Sequence, residues 1–172
     1  DDVMRYQGQA FNWIGFDELT QWPSPYAWNY MRSRLRSTRA SGLPLYMRAT
    51  SNPGGPGHQW VKRTFIDPQT PNKAFPATDE NGNVVTWPKG HSREGESLFK
   101  RKFIPATLFD NPYLSDDGLY EANLLSLPEH QRRQLLEGDW DINEGAAFPE
   151  FDRQKHVIDP YDIPSNWTRF RA

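Results

Sequence analysis

Asp17 and Glu18 stand side by side at the end of a short apolar run, Phe11 to Phe16, in the segment FNWIGFDE. The run is too short for a helix and holds aromatic and branched side chains, so it reads as a buried strand. Such a strand delivers two carboxylates to its carboxyl end, where open parallel sheets bind their ligands. A carboxylate fixed there is a hard oxygen ligand for the magnesium that bridges the β- and γ-phosphates of a nucleotide, which is the role expected of Asp17. The next residue leaves the strand on another side, and as Glu18 it can orient and deprotonate an attacking water. In nucleotide hydrolases this arrangement is the Walker B element. An acidic pair after an apolar strand also marks a plain exit into solvent or caps the next turn, and on these two residues alone both readings stand.

A second polar cluster follows one strand later. LYMRATSNPGG ends in Thr50, Ser51 and Asn52, whose hydroxyl and amide groups suit a sensor of the γ-phosphate when the Walker B strand is the neighbour. Taken alone, Ser-Asn-Pro-Gly-Gly is ordinary turn chemistry. The two clusters together, in this order, favour a nucleotide motor. The phosphate cradle of that class, GxxxxGK[ST], occurs nowhere in the chain. Gly54-Gly55-Pro56-Gly57 lacks the Lys-Ser/Thr that would complete it, and Trp60 occupies the third glycine position of a GxGxxG pattern.

The elements that must hold these groups read as α/β. After the first strand, Pro23-Ser24-Pro25 opens a helix, capped by Ser24, that runs to about Thr38 and stops at Ser41-Gly42. Leu45 to Thr50 is a second strand, SNPGGPG a tight loop, and His58 to Phe65 a helix. This alternation predicts a parallel sheet. Asn81-Gly82 beside Val84-Val85-Thr86-Trp87 predicts a hairpin, and Leu98 to Ile104 a third strand with a basic middle. Ser115 is expected to cap a helix to Leu125, and Pro128 to Gly138 forms another. From Asp139 onward the chain is aromatic and acidic, then Pro-rich, as in a linker or docking segment.

The chain of 172 residues fits one domain with a small appendage. It carries 7 Trp, 7 Tyr and 10 Phe, enough large apolar surface to argue against wholesale disorder. The absence of cysteine excludes disulfides, thiolate metal sites and a cysteine nucleophile. No apolar run approaches the ~20 residues of a membrane span. A net charge of -2 excludes a generally basic polyanion binder, so any nucleic-acid contact is local.

At this point the sequence resembles the large terminase subunit of tailed bacteriophages, the ATP-driven motor that packages double-stranded DNA. The segments that carry the resemblance are YQGQAFNWIGFDELTQWP, RATSNPGGPGHQWVKRTFIDP, FIPATLFDNPYL, LPEHQRRQLLEGDW and EGAAFPEF, which span most of the chain in the family's order. The resemblance implies an α/β fold built on a partial P-loop NTPase sheet of the ASCE type, without its Walker A strand, with flanking helices. Residues 1–138 would be the later part of the ATPase domain, with 70–97 an insertion or hairpin, and 139–172 the linker toward a nuclease domain. Asp17 would hold Mg2+, Glu18 would be the catalytic base, and Thr50, Ser51 and Asn52 the coupling motif. ATP and Mg2+ are the implied cofactors. The implied partners are double-stranded DNA, the portal protein, the small terminase subunit and further copies in a homo-oligomeric ring, in the host cytoplasm and with no membrane.

Two departures qualify the resemblance: the Walker A loop and the nuclease are both missing. The chain also starts at Asp1 without a Met, so it is expected to be a piece of a longer protein, inactive as an ATPase by itself. In the family the Walker A strand lies beside the coupling strand. Its absence implies an open edge, filled by another chain, by strand 98–104 or by a neighbouring molecule.

Arg32, Arg36 and Arg39 share a face at helical spacing and, with Arg5, are candidates for a trans-acting arginine or for DNA contact. A solvated basic face is the plainer alternative for the helical three. Lys100, Arg101, Lys102, Arg132 and Arg133 read as surface or ion-pairing residues. The acids Asp139, Asp141, Glu144, Glu150 and Asp152 read as surface charge rather than a metal nuclease site, and the four histidines lack metal-ligand spacing. Trp13, Trp60 and Trp140 read as packing anchors. The runner-up function is a non-enzymatic, aromatic-rich module that binds nucleic acid or carbohydrate, and such a module would align aromatics on an exposed face.

Overall fold

β1 (Trp13–Phe16) and β2 (Tyr46–Ala49) pair in parallel, with Trp13 opposite Tyr46 and Phe16 opposite Ala49. In the computed structural model the described residues are 3–37, 42–79, 81–115, 118–142, 156–157 and 166–168. The chain divides into two units, Asp1–Ile142 and Asn143–Ala172, and the expectations for Glu144, Glu150 and Asp152 lie outside the described residues. A parallel pair needs a crossover connection, and here a short 3-10 turn at Leu19–Gln21 and α1 (Tyr26–Arg32) supply it.

Side chains alternate along β1, so Ile14 and Phe16 are buried while Trp13 and Gly15 face outward. The buried face packs on Leu19, Trp28, Met31, Trp60 and Val61. Phe16 meets Trp22 edge-on at 5.6 Å and tilts against Trp28 at 5.4 Å. Trp60 and Trp140 join this core as expected, and the Trp60 indole N–H donates to the Trp22 carbonyl at 2.7 Å. Trp13 does not: it is 53% exposed, because the one face of a short strand that reaches the core is the face it lacks.

α1 ends at Arg32, well before Thr38. Sheet pairing outcompetes helix extension here: the Phe11 amide donates to the Arg34 carbonyl and the Arg36 amide to the Phe11 carbonyl, both at 3.0 Å. Residues 34–36 are thereby drawn alongside the start of β1, with Leu35 bridging Phe11 in parallel. The expected face of Arg32, Arg36 and Arg39 is therefore not built: Arg36 lies beyond the helix, donating to the Gln9 carbonyl at 2.8 Å, and Arg39 is outside the described residues. Pro25 takes the N-cap position of α1 without a side-chain cap bond, and Ser24, one residue earlier, accepts the Tyr26 amide on Oγ at 3.5 Å.

α2 (His58–Val61) continues as a wider π turn through Lys62–Ile66. Residues 98–104 do not extend the parallel sheet. They contribute β4 (Lys100–Arg101), antiparallel to β3 (Phe75–Pro76), in a small meander with bridges Thr78 to Val84 and Thr86 to Ser97. Its turn is where Asn81-Gly82 predicts it, with the Asp79 carboxylate accepting the Asn81 and Asn83 amides at 2.9 Å. No strand among the described residues pairs with the outer edge of β2.

The last helices are α3 (Pro112–Ser115), α4 (Leu119–Leu125) and α5 (Glu129–Leu135). Ser115 ends α3 rather than capping α4, whose N-cap is Gly118 at φ 65, a left-handed conformation that glycine adopts freely. Gly138, also left-handed at φ 63, follows the end of α5. Among the described residues no helix is long and apolar enough to cross a membrane.

Candidate functional site

β1 and β2 run in the same direction and in register, so the residues that follow them, Asp17 and Thr50, emerge side by side. The Thr50 hydroxyl donates a short hydrogen bond to Asp17 Oδ1, and the Thr50 amide donates to the Phe16 carbonyl at 3.0 Å. Both side chains are solvent-exposed. One carboxylate oxygen of Asp17 is thus engaged by the neighbouring strand.

Glu18 sits at φ 47, ψ 60, one of two non-glycine residues described with positive φ. A left-handed conformation costs an L-residue about 1–2 kcal/mol, so the surroundings must enforce it. They do: the Leu19 amide donates to the Thr50 carbonyl at 2.9 Å, folding the chain over the end of β2 immediately after the two acids. Glu18 is exposed.

Below this rim lies a buried polar knot that sequence reasoning missed. Thr20 is 1% exposed; its amide donates to Ser51 Oγ at 2.9 Å and its hydroxyl to the Asn52 carbonyl at 3.0 Å, while Ser51 Oγ lies 2.9 Å from Thr20 Oγ1. The Gly57 amide donates to the Thr20 carbonyl at 2.7 Å. Thr20 therefore ties the segment after β1 to Ser51 and Asn52. Nothing in the pattern LTQWP marks it, because a threonine's value as a buried clasp depends on what the fold brings opposite it.

The glycines of the loop answer to crowding. A Cβ on Gly57 would fall 2.1 Å from the Trp22 carbonyl oxygen, and one on Gly55 would fall 2.9 Å from the Thr20 carbonyl. Gly54 lies against the side chain of Gln134 on α5, whose Nε2 is buried without a hydrogen-bond partner. His58, 5% exposed, accepts the Gly54 amide on Nδ1 at 2.8 Å and stacks on Trp140 at 5.4 Å. Burial lowers its pKa below the usual histidine value, against a smaller opposing effect of its hydrogen bond with the Trp140 backbone. Neutral His58 thus holds the loop from beneath. Burial alone would push Lys62 down, but its bonds to Asp67 at 2.5 Å and Asp141 at 3.2 Å prevail and raise it.

The other candidate arginines stand on separate elements. Arg5 lies in the 3-10 turn Val3–Tyr6, and Arg32 closes α1. Asp139 pairs with Arg133 at 2.5 Å and Asp141 with Lys62. Among the described residues no group of three or more His, Cys, Asp or Glu side chains is placed to hold a metal. Magnesium does not require one: it keeps several waters and takes one or two carboxylates beside substrate phosphates, and an exposed Asp17 with Thr50 offers hard oxygen donors of that kind. Compared with known protein families, curated proteins and solved structures, the chain matches none.

Proposed function

We propose that this chain is the Walker B and coupling half of an ATP-hydrolysing motor that moves double-stranded DNA into a phage procapsid. The observation that carries the proposal is the hydrogen bond from Thr50 to Asp17 across the carboxyl ends of two adjacent parallel strands. It joins the two sequence clusters that a motor needs together: one for the metal, one to feel the γ-phosphate. In the whole protein Asp17 would offer its second oxygen to Mg2+, which supplies charge neutralisation on the β- and γ-phosphates when bound. Glu18 would take a proton from the water that attacks the γ-phosphorus as the bond to the β-phosphate oxygen breaks. Movement of Thr50 on loss of the γ-phosphate would reach the loop through Ser51 and its bonds to Thr20. The portal, the small terminase subunit and a ring of copies are the partners implied by the resemblance.

The test needs the parental protein. Its reading frame is expected to encode GxxxxGK[ST] upstream of Asp1. In that protein Glu18→Gln should cut ATP turnover by ~10²–10⁴-fold while Mg–ATP still binds. Undiminished turnover in Glu18→Gln overturns the proposal, as does a reading frame without the cradle.

One observation favours the runner-up, a binding module. Trp13 and Tyr46 are cross-strand neighbours on the outward face of the sheet, 53% and 40% exposed, with the Arg48 guanidinium 5.2 Å from the Tyr46 ring centroid. An aromatic pair of this kind stacks on bases or sugars. Loss of oligonucleotide or oligosaccharide binding in Trp13→Ala, with no nucleotide requirement, would move the assignment to that class.

A further inference from the structure

Away from the strand termini, two half-buried guanidinium groups from separate elements lie on neighbouring aromatic rings where α1 approaches β4. Arg32 ends α1, and its Cζ lies 4.6 Å from the Phe99 ring centroid; Arg101, on β4, lies 5.6 Å from the Phe65 ring centroid. Phe65 in turn meets Trp28, one helical turn before Arg32, at 5.4 Å. Each arginine is therefore laid on an aromatic ring. Among the described residues no carboxylate lies within ion-pairing distance of either, and neither donates a hydrogen bond to a protein acceptor.

This is an unusual place for two like charges. Desolvation lowers the pKa of both groups, and the nearby positive charge of Arg32 lowers Arg101 further. A half-buried guanidinium ordinarily recovers its desolvation cost through a carboxylate that takes its N–H fork. Here the rings support the groups, but rings accept no N–H fork, so the guanidinium donors that face solvent are open to an incoming acceptor. Lys100 and Lys102 flank Arg101 in sequence and are exposed, which adds positive charge around the same strand.

We propose that Arg32 and Arg101 form a two-arginine seat for a phosphate oxyanion, free or as the phosphodiester of a nucleic-acid backbone. A tetrahedral phosphate presents several acceptor oxygens, so it can take N–H pairs from two guanidiniums at once and cancel their repulsion. A lone carboxylate meets one fork well and a second poorly. The seat is independent of Asp17 and Glu18, and it stands or falls apart from the nucleotide-hydrolysis proposal. It also changes the sequence expectation for Arg101, which is neither a free surface charge nor half of an ion pair.

The experiment uses the full chain with Arg32→Gln, Arg101→Gln and, as a charge-matched control on the exposed hairpin, Lys89→Gln. Binding of inorganic phosphate, pyrophosphate and a short DNA duplex is measured at low salt, alongside thermal melting without anion. Wild type and Lys89→Gln are expected to bind, and each arginine variant to lose at least ~10-fold in affinity. Without anion the arginine variants should melt at the same temperature as wild type or a few degrees higher, since a like-charge repulsion has been removed; a merely structural role would lower the melting temperature. Binding of phosphate and pyrophosphate alone assigns a free anion, and preferential duplex binding with a steep salt dependence assigns the backbone phosphodiester. Absence of binding to all three probes, unchanged affinity in both arginine variants, or lowered melting in both overturns the proposal.

Discussion

The molecule has two hydrophobic clusters of very different weight. One gathers nine buried residues around β1, α1 and α2, including Phe16, Trp28 and Trp60. The other, beneath α4 and α5, is three leucines, Leu108, Leu124 and Leu136, with Leu127 at its side. The difference teaches where precision is kept. The rim that carries Asp17, Glu18 and Thr50 follows directly on the larger cluster, whose Trp22 and Trp28 rings pack on Phe16 at the end of β1, with Met47 of β2 against the same cluster. The helical end touches that rim through Gln134 against Gly54, and supports it rather than defining it.

That contrast can be broken most directly at its centre. Trp28→Ala removes an indole that contacts both Phe16 and Phe65, and should cost about 3–5 kcal/mol in denaturant unfolding, with loss of the β1–β2 pairing. Leu124→Ala should cost about 2 kcal/mol, at the low end for such a change because a small cluster collapses more readily. Equal costs at the two sites would erase the distinction.

The clasp beneath the rim sharpens it. Thr20→Val keeps the shape but removes the hydroxyl that donates to Asn52, so about 1–3 kcal/mol should be lost. Amide exchange should accelerate first at Gly57, whose N–H is held by the Thr20 carbonyl. Exchange that rises instead across α4 and α5 would show that the two regions are not separable.

The smallest effect is one of pH. His58 is held neutral with a lowered pKa, so the unfolded chain binds its proton first as pH falls. Its contribution to stability is complete above the ordinary histidine value of 6.5 and is lost as pH drops from there through the lowered value. His58→Gln should flatten that part of the stability profile, and an unchanged slope would remove His58 as the support of the Gly54 amide.

Much of the parallel half was legible in the sequence. The short apolar run of β1, the strand before Thr50 and the helix from His58 each carry local signals that their neighbours reinforce. The turn at Asn81-Gly82 and the stop at Gly138 were legible because backbone preference is set within a few residues. The end of α1 was not, since the bonds that stop it come from Phe11, far back in the chain. Of residues 98–104 only Lys100–Arg101 form a strand, and their partner is β3 rather than β2; alternation of side chains says nothing about which edge a strand will choose.

By itself, then, the sequence determined the residue types available for chemistry and the order in which short strands and helices follow one another. Both depend on forces acting over one or two turns of chain. Only the tertiary structure decided that Thr50 meets Asp17, that Thr20 clasps the loop, that Trp13 lies open, and that Arg32 and Arg101 rest on aromatic rings with no carboxylate partner among the described residues. Those outcomes are pairings between distant segments, and they follow from which surfaces exclude water together rather than from any local preference.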